Sequence, residues 1–224
     1  MPRVQTFDEL NSIANDEEYY EAYFRDMALS RRQIDERKGI AEDFEDLMFF
    51  IFSLILAMMQ SDTLDLMSAQ EQTYNRYLQI LRDKGVTIDD DAVRAARIFA
   101  ESVPRTTAEE ILKQMENAAV DAPDATDGYG TSNRRAREVS ASEANTVYNH
   151  EDFVNAVASG KTRKQWITIL DGRERPTHRA SAGQTVPITE PFAVGDSLLL
   201  FPHDQSLGAS PSEIVNCRCS VRYI

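Results

Sequence analysis

The spacing of apolar residues divides the chain into a helical first part and a mixed second part. Met67, Tyr74, Tyr77, Leu78 and Leu81 recur at helical intervals and fall on one face. Asp62 offers that helix a cap and Gly85 a stop. Asp89, Asp90 and Asp91 then place negative charge where a helix N-terminus favours it, ahead of Val93, Ala96 and Ala100. Pro104 is expected to close that helix, and Thr107 with Glu110 has capping-box spacing before Ile111, Leu112 and Met115. The pattern predicts helix throughout and no strand.

One run stands apart. It begins at Leu47 and ends at Met59, thirteen residues interrupted only by Ser53 and preceded by Glu42, Asp43, Glu45 and Asp46. As a helix it would span about 20 Å at ~1.5 Å per residue, short of the ~30 Å core of a bilayer, so no stable membrane insertion is expected. It reads as a buried central helix. A helix apolar on all sides must be covered on all sides, so self-association through residues 47–59 is the alternative.

From residue 134 the pattern changes. Residues 134–159 read as one long helix or two short ones, with Val139, Val147, Val154 and Val157 as the apolar stripe and Gly160 as the end. Residues 166–170, 197–201 and 214–221 are short β-branched or aromatic runs separated by Gly and Pro, and they predict strands. The fold class is α+β: a helical N-terminal part followed by a small helix-plus-antiparallel-sheet domain. Residues 121–133 are rich in turn formers and lack periodic apolar positions, which makes them the expected linker between parts 1–120 and 134–224.

Charge sharpens this division. The chain holds 24 basic and 37 acidic side chains, a net charge of −13, and the excess lies in the first part. Residues 1–130 carry 13 basic and 27 acidic groups, residues 131–224 carry 11 and 10. Such a chain repels polyphosphate, so no sequence-specific nucleic-acid binding is expected. Arg134, Arg135 and Arg137 read as a solvated helix start. The two cysteines exclude a disulfide framework and favour a reducing place of synthesis. Residues from Met1 onward form no apolar h-region, so no secretory signal is expected.

The candidate chemistry lies near the end of the chain. Asp171, His178, Cys217 and Cys219 offer a carboxylate, an imidazole and two thiols, groups that zinc uses four at a time. Cys-x-Cys within a strand would point both thiols to one face. The same residues also read as a packed core with an Asp171–Arg173 ion pair, since cysteine is among the most buried residue types. Only one close ligand pair is present, whereas ordinary zinc motifs have two, so both readings stay open. Asp171, Arg173, His178, Cys217 and Cys219 are expected to converge, because short strands in one small sheet bring their ends together. His178 and Cys217 also suit a base and a nucleophile, but no Gly-rich elbow, phosphate loop or His-Glu-x-x-His element accompanies them.

The order Trp166, Asp171-x-Arg173-x-Arg175-x-x-His178, Gly183-Gln184, Phe192, Pro202-x-Asp204 and Asn216-Cys217-Arg218-Cys219 resembles the phage Mu F-like head morphogenesis domain, over roughly residues 134–224. Glu143 sits where members carry an Ala-x-Thr-Glu element in a helix. Ser181-Ala182 departs from the usual pair before the glycine, and His203 replaces the usual glycine between Pro202 and Asp204. The resemblance implies a minor head protein of a tailed phage, made in the host cytoplasm and resident in the virion. It implies the portal and other head proteins as partners, incorporation during head assembly and a part in DNA delivery. The residues themselves lead to an expectation of no catalytic activity and no cofactor, zinc being the one candidate. The alternative is a metal-dependent or thiol-based hydrolase, like the toxin domains sometimes fused to such modules.

Overall fold

In the computed structural model, which describes residues 16–25, 27, 29–119 and 131–224, the four long helices each begin at a side chain that holds their first free amides. Ser30 and Gln33 form a reciprocal capping box at the start of α2, Arg31–Gln60. Asp65 accepts from Ser68 N at 3.0 Å to open α3, Leu66–Asp83. Asp89 accepts from the amides of Asp91 and Ala92 before α4, Asp90–Ala119. Ser132 accepts from Arg135 N before α5, Asn133–Ala158. A shorter α1, Asp16–Arg25, comes first. Among the described residues no helix is long and apolar enough to cross a membrane.

Three of the expected boundaries differ. The cap of α3 is Asp65, because Asp62 lies in the preceding turn at φ +54°. Pro104 sits inside α4 instead of ending it. Around it Ser102 donates to Phe99 O, Thr106 to Ser102 O, and Thr107 to Val103 O, so the hydroxyls bond back along the helix and Thr107 is no cap. The expected linker lies almost wholly outside the described residues, which resume at Thr131.

The described residues form two compact units that cut across the expected segments. One comprises Glu42–Ser140. The other joins the described residues up to Ala41 with Ala141–Ile224. In the first unit Phe44, Tyr77 and Phe99 meet at centroid distances of 4.9, 5.4 and 5.9 Å. Leu47, Met48, Ile51, Phe52 and Ile55 of α2 are buried with them, while Phe49 and Leu56 are each 37% exposed. The apolar run is thus covered on one side, not all round. Arg135 is buried, donating to Thr106 and Thr107 at 2.8 Å each, and Arg137 is buried as well. Only Arg134 of the three is solvated, paired with Glu138 at 3.0 Å. A guanidinium that finds hydroxyl acceptors leaves water at modest cost, which the linear charge pattern does not reveal.

The second unit carries the sheets. Strand β1, Arg163–Ile167, is flanked by β2, Thr185–Pro187, and by β5, Ser220–Tyr223, both antiparallel to it. Strands β3, Phe192–Val194, and β4, Ser197–Leu199, form a separate hairpin. Two short helices, α6 (Pro176–Ser181) and α7 (Pro211–Ile214), complete the α+β arrangement. The run expected as one strand over residues 214–221 is the end of α7, a turn and β5, because Asn216 at φ +55° lets Cys217 N bond back to Ile214 O. Trp166, Phe192, Val194, Leu199, Cys217 and Cys219 form the apolar core.

These strands are too short to bury much, and α5 supplies the rest with small and amide side chains beside Val147, while Val139 and Val154 of the expected stripe are half-buried. Ala141, Ala144, Asn145 and Asn149 are buried, whereas Val157 is 48% exposed. The amides face Arg37, which has no exposed surface. Arg37 donates to Asn145 Oδ1 at 3.1 Å, Asn149 Oδ1 at 3.3 Å and Asp152 Oδ2 at 3.2 Å. Removing a buried cation strands all its acceptors. Arg37→Ala is therefore expected to cost about 3 kcal/mol in urea denaturation. Arg32→Ala, on an 86% exposed side chain, should leave the midpoint in place. Equal midpoints for the two variants would contradict this account.

Candidate metal centre

Trp166 anchors the site. Its indole lies edge-on to Phe192 at 5.2 Å and to His178 at 6.0 Å, and its Nε1 donates to Thr168 Oγ1 at 3.1 Å. Thr168 in turn donates to the His178 carbonyl at 2.8 Å, which fixes α6 against the end of β1. Arg175 donates to Val215 O, tying the start of α6 to the turn that carries Asn216.

His178 is 2% exposed, and its two nitrogens face different partners. Nε2 lies 3.0 Å from Glu213 Oε2, which also accepts from Thr177 Oγ1 at 2.8 Å. A carboxylate only accepts, so Nε2 carries the proton. Nδ1 faces Cys219 Sγ at 3.4 Å and Cys217 Sγ at 3.6 Å. The three donor atoms lie within 4.8 Å of one another, and all three residues are buried. The Cys219 amide donates to Cys217 Sγ at 3.4 Å. Beside them is a cavity of about 260 Å³ lined by Thr168, Arg173, Arg175, Asn216 and the three candidate ligands.

Asp171 does not join this set. Its carboxylate accepts from Arg218 at 2.9 and 3.0 Å and from Arg173 at 2.6 Å, so the expected Asp171–Arg173 pair is present and extended by a second arginine. Four of the five residues expected to converge line one cavity, and Asp171 braces its arginines from outside. Glu213, Thr177 and Thr168 were not picked out from the sequence. The signal for Glu213 was Ser210-Pro-Ser-Glu213, which has capping-box spacing and so places the acid in the first turn of a helix.

The remaining motif residues hold backbone. Gly183, at φ +79°, donates its amide to Trp166 O, and Gln184 O accepts from Trp166 N. Pro202 O accepts from Asn149 Nδ2 at 3.2 Å. Asp204 accepts from the amides of Leu200 at 2.7 Å and Ser206 at 2.8 Å. Glu143 lies half-buried on α5.

Burial sets most of the electrostatics. It pushes the Cys217 thiol up. The hydrogen bond from Cys217, opposed by burial and aided by His178, draws Cys219 down to about 5. Burial raises the Asp171 carboxyl, but the bonds from Arg218 and Arg173 outweigh it and hold the group well below the ordinary carboxylate range.

A family model described as phage Mu protein F like protein matches residues 103–222, more than half the chain, and the chain belongs to that family. The match starts at Val103 inside α4, earlier than the motif set alone suggested. No curated protein and no solved structure shows significant similarity to the chain.

Lys164 borders the same core and gives a pH signature. Its ammonium donates to Leu200 O at 2.7 Å and lies 5.0 and 5.1 Å from the Phe153 and Phe192 ring centroids. Burial pushes it down to about 8, against the pull of Asp204. The unfolded lysine keeps its proton to about 10.4, so the unfolded chain binds more protons over roughly pH 8 to 10 and stability rises with pH there. Lys164→Met lacks this dependence. Its melting temperature relative to the parent is expected to be highest below about pH 8 and to fall back by about pH 10. A difference that stays constant over that range would refute the assignment.

Proposed function

We propose that the protein is a minor head protein of a tailed phage, portal-associated, incorporated during head assembly and involved in DNA delivery, and that it works by binding. The family match over residues 103–222 carries this reading. The motif residues support it: most of them bond to each other or to backbone, as anchors do, rather than presenting groups to a substrate. The unit Glu42–Ser140 supplies contact surface, with Phe49, Leu56, Met67, Leu112 and Met115 all more than a third exposed. Apolar side chains of this kind give affinity, and the acidic groups around them orient the partner and repel DNA. A portal or capsid protein is the proposed occupant. A second copy of the chain, meeting through residues 47–59, is the alternative.

One observation favours a hydrolase. Cys219, His178 and Glu213 lie in line as nucleophile, base and orienting acid. Both sulfurs are at most 3% exposed, which does not suit attack on a polymer.

The binding reading separates from the alternatives through two neighbouring phenylalanines. Phe52→Asp, at a side chain 4% exposed, is expected to unfold its unit, seen as lost helix by circular dichroism. Phe49→Asp, at 37% exposure, should keep the helix signal while releasing the protein from purified portal oligomers or assembled heads. A wild-type protein with no affinity for portal or capsid proteins, yet turning over a nucleotide, nucleic-acid or peptide substrate, would replace this reading with the enzymatic one.

A further inference from the structure

We infer that His178 Nδ1, Cys217 Sγ and Cys219 Sγ are the protein ligands of a zinc ion, with Glu213 as the carboxylate that orients the imidazole. The inference is independent of the head-protein reading. The spacing is the first argument. Tetrahedral zinc with bonds of ~2.0–2.3 Å sets its ligands ~3.3–3.8 Å apart. The nitrogen lies 3.4 and 3.6 Å from the two sulfurs and all three donor atoms lie within 4.8 Å of one another, so an ion fits among them once the sulfurs close in by up to about 1 Å.

The orientation is the second. A metal-bound histidine gives its other nitrogen to a carboxylate or carbonyl, which fixes the tautomer and raises its basicity. Glu213 does this at 3.0 Å and leaves the Nδ1 lone pair pointing at the thiols. Glu213 is itself held. Thr177 bonds the same oxygen, and Gly195, at φ +58°, makes room for both. A Cβ there would lie 2.9 Å from Thr177 Cγ2 and 3.1 Å from Glu213 Oε1.

Simple packing accounts for two buried thiols beside Trp166 and Phe192, but it gives no reason for a buried imidazole aimed at both sulfurs and braced by a buried acid. Two soft thiolates and an imidazole select zinc over the hard cations. The adjoining cavity has room for a fourth ligand, a water or a group from a bound partner. The ion would tie α6 to a segment 39 and 41 residues further along the chain, stapling a unit whose strands are only three to five residues long.

The test uses the full-length chain, expressed with added zinc and purified under reducing conditions without chelator. Elemental analysis should find about one zinc per chain, and cobalt(II) in its place should give thiolate charge-transfer and tetrahedral d–d bands. His178→Ala, Cys217→Ser and Cys219→Ser should each abolish stoichiometric zinc. Glu213→Gln, which keeps all three ligands, should weaken zinc affinity by about 10–100-fold in a chelator competition. If the ligand variants fail to fold, the wild-type cobalt spectrum decides, because the charge-transfer band reports thiolate ligation directly. A folded, fully reduced wild type that takes up neither metal overturns the site. So does zinc retained by both cysteine variants, or a Glu213→Gln chain with unchanged affinity.

Discussion

The carbonyl of Cys217 is where the C-terminal unit closes. It accepts from His203 Nε2 at 2.7 Å and from Asn145 Nδ2 at 3.5 Å. Asn145 can present its amide this way because Arg37 occupies its oxygen, and Asn149, held by the same guanidinium, presents its amide to Pro202 O. One buried arginine on α2 thereby positions two loops through two asparagines on α5. Strands of three residues cannot secure those loops by pairing alone. A fully bonded buried network can, since in a low-dielectric interior each missing partner is costly. It also explains why the described residues up to Ala41 belong with Ala141–Ile224 despite their separation in sequence.

His203 shows how the same network absorbs a local misfit. The position has φ +71°, a region that favours glycine, and the resemblance places glycine there in other members of the family. An imidazole at this φ carries strain of about 1–2 kcal/mol. Here the ring is 2% exposed, with Nε2 on Cys217 O and Nδ1 3.3 Å from Thr146 Oγ1. Burial draws its pKa down to about 4, so the ring is neutral and Nε2 is the donor. The side chain that breaks the backbone preference adds a bond at the carbonyl on which the unit closes.

How much could be read in advance follows from where each interaction lies. Helix α3 and the starts of α4 and α5 were legible, because periodicity and turn residues are local. Pro104 does not stop α4, and Ser102, Thr106 and Thr107 bond back along the helix around it. The solvated reading of Arg135 failed because its acceptors, Thr106 and Thr107, are 29 and 28 residues away. The valine stripe held at Val147 and not at the exposed Val157, and no local pattern signals that α5 turns two amides toward a guanidinium over a hundred residues distant. Local rules reach the helices and miss the partners.

Glu213 joins these two levels. Its spacing from Ser210 fits a capping box, and the local rule would send its carboxylate back to the Ser210 amide. That amide instead donates to Ser197 Oγ at 3.0 Å, which frees Glu213 for His178 and Thr177. Motif residues that hold one another in this way carry the fold of the unit and leave the choice of partner to other surfaces. The ordered set ending in Cys219 is in that sense a signature of stability, and the exposed Phe49 and Leu56 lie outside the residues that the family model matches.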